Sequence, residues 1–92
     1  MSHTIENKKQ LIARTRRLKG QIEAIESALE AEAPCSEILN LAASVRGAVN
    51  GLVVELIEDH IRNHVVNPQT DLDAARAEGA GQLIEIIKRY LK

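Results

Sequence analysis

Apolar residues recur along this chain with helical spacing in three separate stretches. Leu11, Thr15, Leu18, Ile22, Ile25 and Leu29 follow one another at intervals of 4-3-4-3-4. This heptad-like seam predicts a first helix from about Thr4 to Ala31. Thr4 or Ser2 is a candidate cap for its start. Gly20 interrupts the seam at a cost of about 1 kcal/mol relative to alanine, which suits a close helix contact there. Ala33-Pro34-Cys35 is the first break. Proline fits the first position of a helix, where its missing N–H has no intrahelical partner to lose, so a second helix is predicted from Pro34 to about Val66. Its apolar positions Ile38, Leu41, Val45, Ala48, Val49, Leu52, Val53, Leu56 and Ile57 form a stripe broad enough for more than one neighbour. Asn67-Pro68 stops it. Thr70 and Asp73, three apart, resemble a capping box with Asp in place of Glu. They predict a third helix from about Asp71 to Tyr90, with Leu83, Ile84, Ile87 and Leu91 on its buried side. There is no strand-like alternation, repeat or low-complexity stretch. The expectation is one all-α domain over residues 1–92, with three helices.

Composition adds a requirement. Apolar residues make up 45% of the chain, yet there is no Trp or Phe and Tyr90 is the single aromatic residue. Without aromatic side chains, which bury the most area each, a chain of 92 residues has to bury aliphatic groups along long seams. A second helix reaching about 45–50 Å is longer than one such chain can cover. Helices shared between subunits, and hence an obligate homo-oligomer, are predicted.

Net charge is only −1, but its distribution is uneven. Residues 1–19 carry Lys8, Lys9, Arg14, Arg16, Arg17 and Lys19 against Glu6 alone, for +5, and the remainder carries −6. A face kept merely soluble usually mixes both signs. Arg14 and Arg17 lie one helical turn apart and point the same way, forming a row able to neutralise phosphates and release counterions. No helix-turn-helix, zinc-finger spacing or aromatic platform accompanies the row. Backbone contacts and duplex shape are therefore the expected mode of recognition of double-stranded DNA.

Histidine and cysteine positions supply candidate chemistry. His60 and His64 are four apart on the second helix, a spacing at which two imidazoles can chelate one metal ion. Taken alone, such a pair is more often a surface feature. Cys35 sits in the first turn of the same helix, where the positive dipole end and unpaired N–H groups favour a thiolate. Cys35 and His60 are 25 residues apart, about 37 Å along a helix. They meet only if two copies of the helix pack antiparallel. His3 is a further candidate, beside a free α-amine if Met1 is removed. Three imidazoles with one thiolate suit nickel(II) or cobalt(II) better than copper(I) or structural zinc, which favour more sulfur, although zinc remains open.

Other classes fare worse. Cys35 with His60 could mimic a nucleophile and base, but three aliphatic helices supply no oxyanion hole, so an enzyme is not expected. A pure oligomerisation module would leave the basic row without purpose. The single cysteine cannot form an internal disulfide, no apolar run approaches the roughly 18 residues of a membrane span, and the N-terminus lacks a signal-peptide core. A cytoplasmic protein with no membrane partner is predicted.

These blocks resemble the CsoR/RcnR family of bacterial repressors over essentially the whole chain. The resemblance rests on Lys8-Lys9, Ala13-Arg14, Arg17-Leu-Lys-Gly-Gln21, Pro34-Cys35 and Val45-Arg-Gly-Ala-Val-Asn-Gly-Leu52, followed by His60 and His64. It implies a three-helix protomer, an antiparallel dimer, and a dimer of dimers as the working tetramer. It further implies operator binding upstream of an efflux or detoxification operon, and release by an inducer. Implied sensing residues are His3, Cys35, His60 and His64, the pattern of the nickel- or cobalt-responsive RcnR branch; copper sensors of the family carry a second cysteine where this chain has His64. Implied DNA contacts are Arg14, Arg17 and Arg46. The formaldehyde-responsive FrmR branch is the alternative. There the inducer links the cysteine matching Cys35 to an N-terminal residue, here Ser2, with no metal, and an acid typically stands in place of His64. Arg16-Arg17, Glu23-Ala24 and Ala33-Pro34-Cys35 lean toward that branch.

Overall fold

The computed structural model describes residues 7–91. They form three helices and no strand: α1 (Lys8–Glu30), α2 (Cys35–His64) and α3 (Ala74–Tyr90). The proposed caps Ser2 and Thr4 lie outside the described residues.

The helix ends follow from local chemistry. At the end of α1, Glu32 N–H donates to Leu29 O at 3.1 Å and Ala33 N–H to Ala28 O at 2.9 Å, the paired bonds of a Schellman terminator. The left-handed position is filled by Glu32 at φ 54° rather than by glycine. Pro34 then caps α2 from outside, with ψ 144° and its carbonyl accepting from Glu37 and Ile38 N–H. The helix begins at Cys35, one residue later than predicted, because Pro34 keeps an extended ψ. At the far end, Val65 and Val66 N–H both donate to Ile61 O. Asn67 then folds the connection back, its side-chain oxygen accepting from Gln69 N–H.

The start of α3 departs from expectation. Asp73, not Thr70, is the N-cap, its carboxylate accepting from Arg76 N–H at 3.1 Å, so α3 begins at Ala74. Residues 71–73 are diverted by Asp71, which accepts from Asp73 N–H and grips the Arg76 guanidinium through both carboxylate oxygens at 2.8 and 2.9 Å.

α1 and α2 pack along each other, and α3 packs only on α2. Leu11 and Leu18 of α1, Val54 and Ile61 of α2, and Ala80 and Ile84 of α3 are buried, Ile84 most deeply at 2% exposure. The result is a flat rod of 58 × 26 × 12 Å. Its radius of gyration, 17.4 Å, is well above the roughly 12 Å of a compact chain of this length. Much of the predicted seam faces outward in a single protomer: Ile22 is 54% and Leu29 57% exposed, and Val49, Val53, Leu83 and Leu91 are exposed too. Leu83 and Leu91 thus do not lie on a buried side of α3 within one chain. Periodicity identified the apolar faces, but one chain provides too little surface to cover them all.

Candidate sensor and DNA-contact residues

The last turns of α2 carry His60 and His64 on one face, as their spacing predicts. Both rings are exposed, with centroids 4.9 Å apart and planes tilted by 37°. Cys35, an exposed free thiol, is the first residue of the same helix. The intervening rise of about 37 Å keeps it from its own chain's imidazoles. Accordingly, no three His, Cys, Asp or Glu side chains converge as a metal site among the described residues of one chain.

Ser2 and His3 lie outside the described residues, but the root of their segment is fixed. Asn7 Nδ2 donates to Asp59 Oδ2 at 2.6 Å, joining the start of α1 to the residue immediately before His60. Asp59 is buried at 9% exposure, so this bond satisfies a carboxylate that would be costly to leave unpaired. His3 is four residues from Asn7, a span of at most about 14 Å in any conformation. Asn7 thus joins the start of α1 to the turn that carries its own chain's histidines.

Three ion pairs lie in the same cleft, a polar space of about 920 Å³ between the helices. Glu58 meets Arg62 at 3.0 Å and Lys88 at 3.2 Å, tying α3 to α2. Arg14 Nε lies 3.2 Å from Glu55 Oε2, tying α1 to α2.

The basic residues divide accordingly. Lys8, Lys9, Arg16, Arg17 and Lys19 on α1 and Arg46 on α2 are exposed, ready for an external anion. Arg14 is half-buried against α2. It still shares a side of α1 with Arg17: both line a small hollow of about 250 Å³ with Gln21 and Ala48. Sequence reasoning does not single out Asn7, Gly51, Glu55 or Asp59. The two acids, four apart and just ahead of His60, are a visible signal; Gly51 is visible only within the Val45–Leu52 block, and Asn7 offers none.

Known proteins resemble the chain over most or all of its length. Residues 7–89 match the family model described as a metal-sensitive transcriptional repressor. The transcriptional repressor RcnR of Salmonella typhimurium is 39% identical over 92 residues, covering both chains fully. An uncharacterized protein in the bioA 5′ region of Serratia marcescens is 44% identical, again over the full length of both. Among solved structures, the chain resembles a variant of the formaldehyde-responsive regulator FrmR from Salmonella enterica serovar Typhimurium. That match has a TM-score of 0.64 and 44% identity, and covers 89% of this chain and 94% of that one. No described helix is long and apolar enough to cross a membrane. With its helical architecture, its match to the family model and its full-length relatives, the chain belongs to the metal-sensitive transcriptional repressor family of the CsoR/RcnR type.

Proposed function

We propose that this repressor is released from operator DNA when nickel or cobalt occupies a site completed between subunits, and that it controls a metal efflux gene. His60, His64 and His3 come from one chain and Cys35 from its antiparallel partner, within a dimer of dimers. The observation that carries this reading is the separation along α2: an imidazole pair 4.9 Å apart at one end and an exposed thiol at the other. The Asn7–Asp59 bond joins the start of α1 to the turn bearing its own chain's histidines, which supports grouping His3 with His60 and His64. Apolar faces left outward on all three helices favour the oligomer that such a site requires.

The donor set fits the inducer. Three imidazoles, a thiolate favoured at the first turn of α2 and an α-amine are nitrogen-rich with one soft ligand. A bound ion supplies only a fixed coordination geometry that holds the two chains' ligands together. The residues do the rest. His60 and Cys35 draw the end of one α2 toward the start of the other, and Asn7–Asp59 transmits the strain to α1, where the basic residues lie. Release requires that the DNA-free arrangement bind the inducer more tightly, typically by about 1–3 kcal/mol, or roughly 5- to 150-fold. Lys8, Lys9, Arg14, Arg16, Arg17, Lys19 and Arg46 serve as phosphate contacts.

The FrmR likeness favours a second reading, formaldehyde sensing. The Ser2 amine and the partner's Cys35 thiol would be joined through the aldehyde carbon as a methylene bridge, with its oxygen leaving as water. Titrating the DNA-bound protein with nickel, cobalt, zinc, copper(I) and formaldehyde separates the two. Nickel or cobalt should release DNA from the wild type, while His64→Glu should bind DNA yet ignore both metals. Release by formaldehyde alone would establish the second reading. Release of His64→Glu by metal would show the assigned site to be wrong.

A further inference from the structure

Arg14 differs from its basic neighbours in lying down on α2. Its guanidinium covers Gly51 so closely that a Cβ there would meet Arg14 Nη1 at 2.7 Å. Its Nε faces Glu55, which is 17% exposed against 32% for the arginine. Gly51 and Glu55 are one helical turn apart, so they form the floor and the acidic end of one slot. The hold is loose, since Glu55 Oε2 receives no aligned hydrogen bond among the described residues.

We propose that the Gly51–Glu55 slot is an autoinhibitory acceptor that competes with DNA for Arg14. This rests on the reading of Arg14 as a phosphate contact. A phosphate approaching the docked guanidinium meets the Glu55 carboxylate at the same place, and like charges at that distance repel. Arg14 therefore has to leave the slot to bind DNA at full strength. The slot lies on α2 just ahead of Asp59 and His60, so a movement of α1 against α2 changes how readily the arginine escapes.

Two substitutions open the slot by different means. Glu55→Gln removes the acid. Gly51→Ala leaves charge unchanged and displaces only the end of a flexible side chain, while favouring the helix. A partly exposed ion pair corresponds to about a two- to fivefold effect. Affinity for a labelled mixed-sequence duplex at low salt reports it, because phosphate contacts do not depend on sequence. Both variants should bind about two- to fivefold more tightly than wild type. Neither should tighten binding in an Arg14→Ala background, and Glu58→Gln, an equal change of charge in the same cleft, should tighten it less than Glu55→Gln. If Arg14→Ala weakens binding but Glu55→Gln and Gly51→Ala bind as wild type or worse, the slot is not inhibitory and Arg14 stands as a contact. Equal tightening by Glu58→Gln and Glu55→Gln with none by Gly51→Ala would reduce the effect to net charge and overturn the proposal. If Arg14→Ala binds as tightly as wild type, the assignment of Arg14 fails and the slot fails with it.

Discussion

Replacing Asn7 by alanine removes a single amide, but one in a consequential place. Its Nδ2 donates at 2.6 Å to Asp59, whose side chain is held in a residue only 9% exposed and directly precedes His60. A hydrogen bond to a charged group contributes about 1.5–3 kcal/mol, and stranding a buried acceptor costs a similar amount. Asn7 itself is half-buried, so water can partly replace it and the lower end applies. The expected loss is about 1.5 kcal/mol, roughly a tenfold change in the folding equilibrium. Urea unfolding measures this, with wild type and variant compared at matched protein concentrations because association contributes to apparent stability. In the proposed site, the same bond fixes the point from which the chain runs to His3. Asn7→Ala should therefore weaken metal affinity in wild type but add little in a His3→Ala background, since both changes disable the same ligand. Unchanged urea stability would mean that the bond contributes nothing in solution. Fully additive effects of Asn7→Ala and His3→Ala on metal affinity would mean that the bond does not position His3.

Two further outcomes follow from the helix ends. Glu32 occupies the left-handed terminator of α1, a conformation costing a non-glycine residue roughly 1–2 kcal/mol; Glu32→Gly should raise stability by about 0.5–1 kcal/mol after its greater unfolded-state freedom is offset, seen as a higher urea midpoint. The Asp71 carboxyl is held below its ordinary value of 3.8, first by its hydrogen bonds to Arg76 and then by Asp73 N–H. A lowered folded-state value means that this contribution is present above about pH 3.8 and lost as pH falls through the folded-state value. Asp71→Asn should thus melt below wild type at neutral pH, with the gap closing in acid; a gap that stays constant from neutral pH to pH 2 would contradict the assignment.

The residues that were legible in the sequence are those whose behaviour is set locally. Pro34 marked the start of α2 to within one residue because its ring fixes the backbone there, and Asn67-Pro68 marked the end. His60 and His64 share a face because helical spacing alone demands it. Thr70 misled because two nearby aspartates compete for the same role: Asp73 reaches Arg76 N–H, while Asp71 holds the Arg76 side chain. Ile22 and Leu29 showed an apolar face but not what covers it. Arg14 was recognisable as basic, whereas its docking over Gly51 beside Glu55 depends on how α1 and α2 are set against each other, and spacing within one helix carries no information on that. The same holds for Asn7 and Asp59, 52 residues apart, whose bond joins the start of α1 to the residue before His60.

Subunit mixing tests the shared sensor most directly. A Cys35→Ala chain and a His60→Ala/His64→Ala chain each lack one half of the site, so neither alone should release DNA when nickel or cobalt is added. Unfolded together and refolded as mixed oligomers, they place an intact thiol opposite an intact imidazole pair at one of the two sites in each mixed dimer, and metal-driven release should return in part. If the mixture stays as silent as its components while still binding DNA, or if either variant alone responds like wild type, thiol and imidazoles do not act across the subunit boundary.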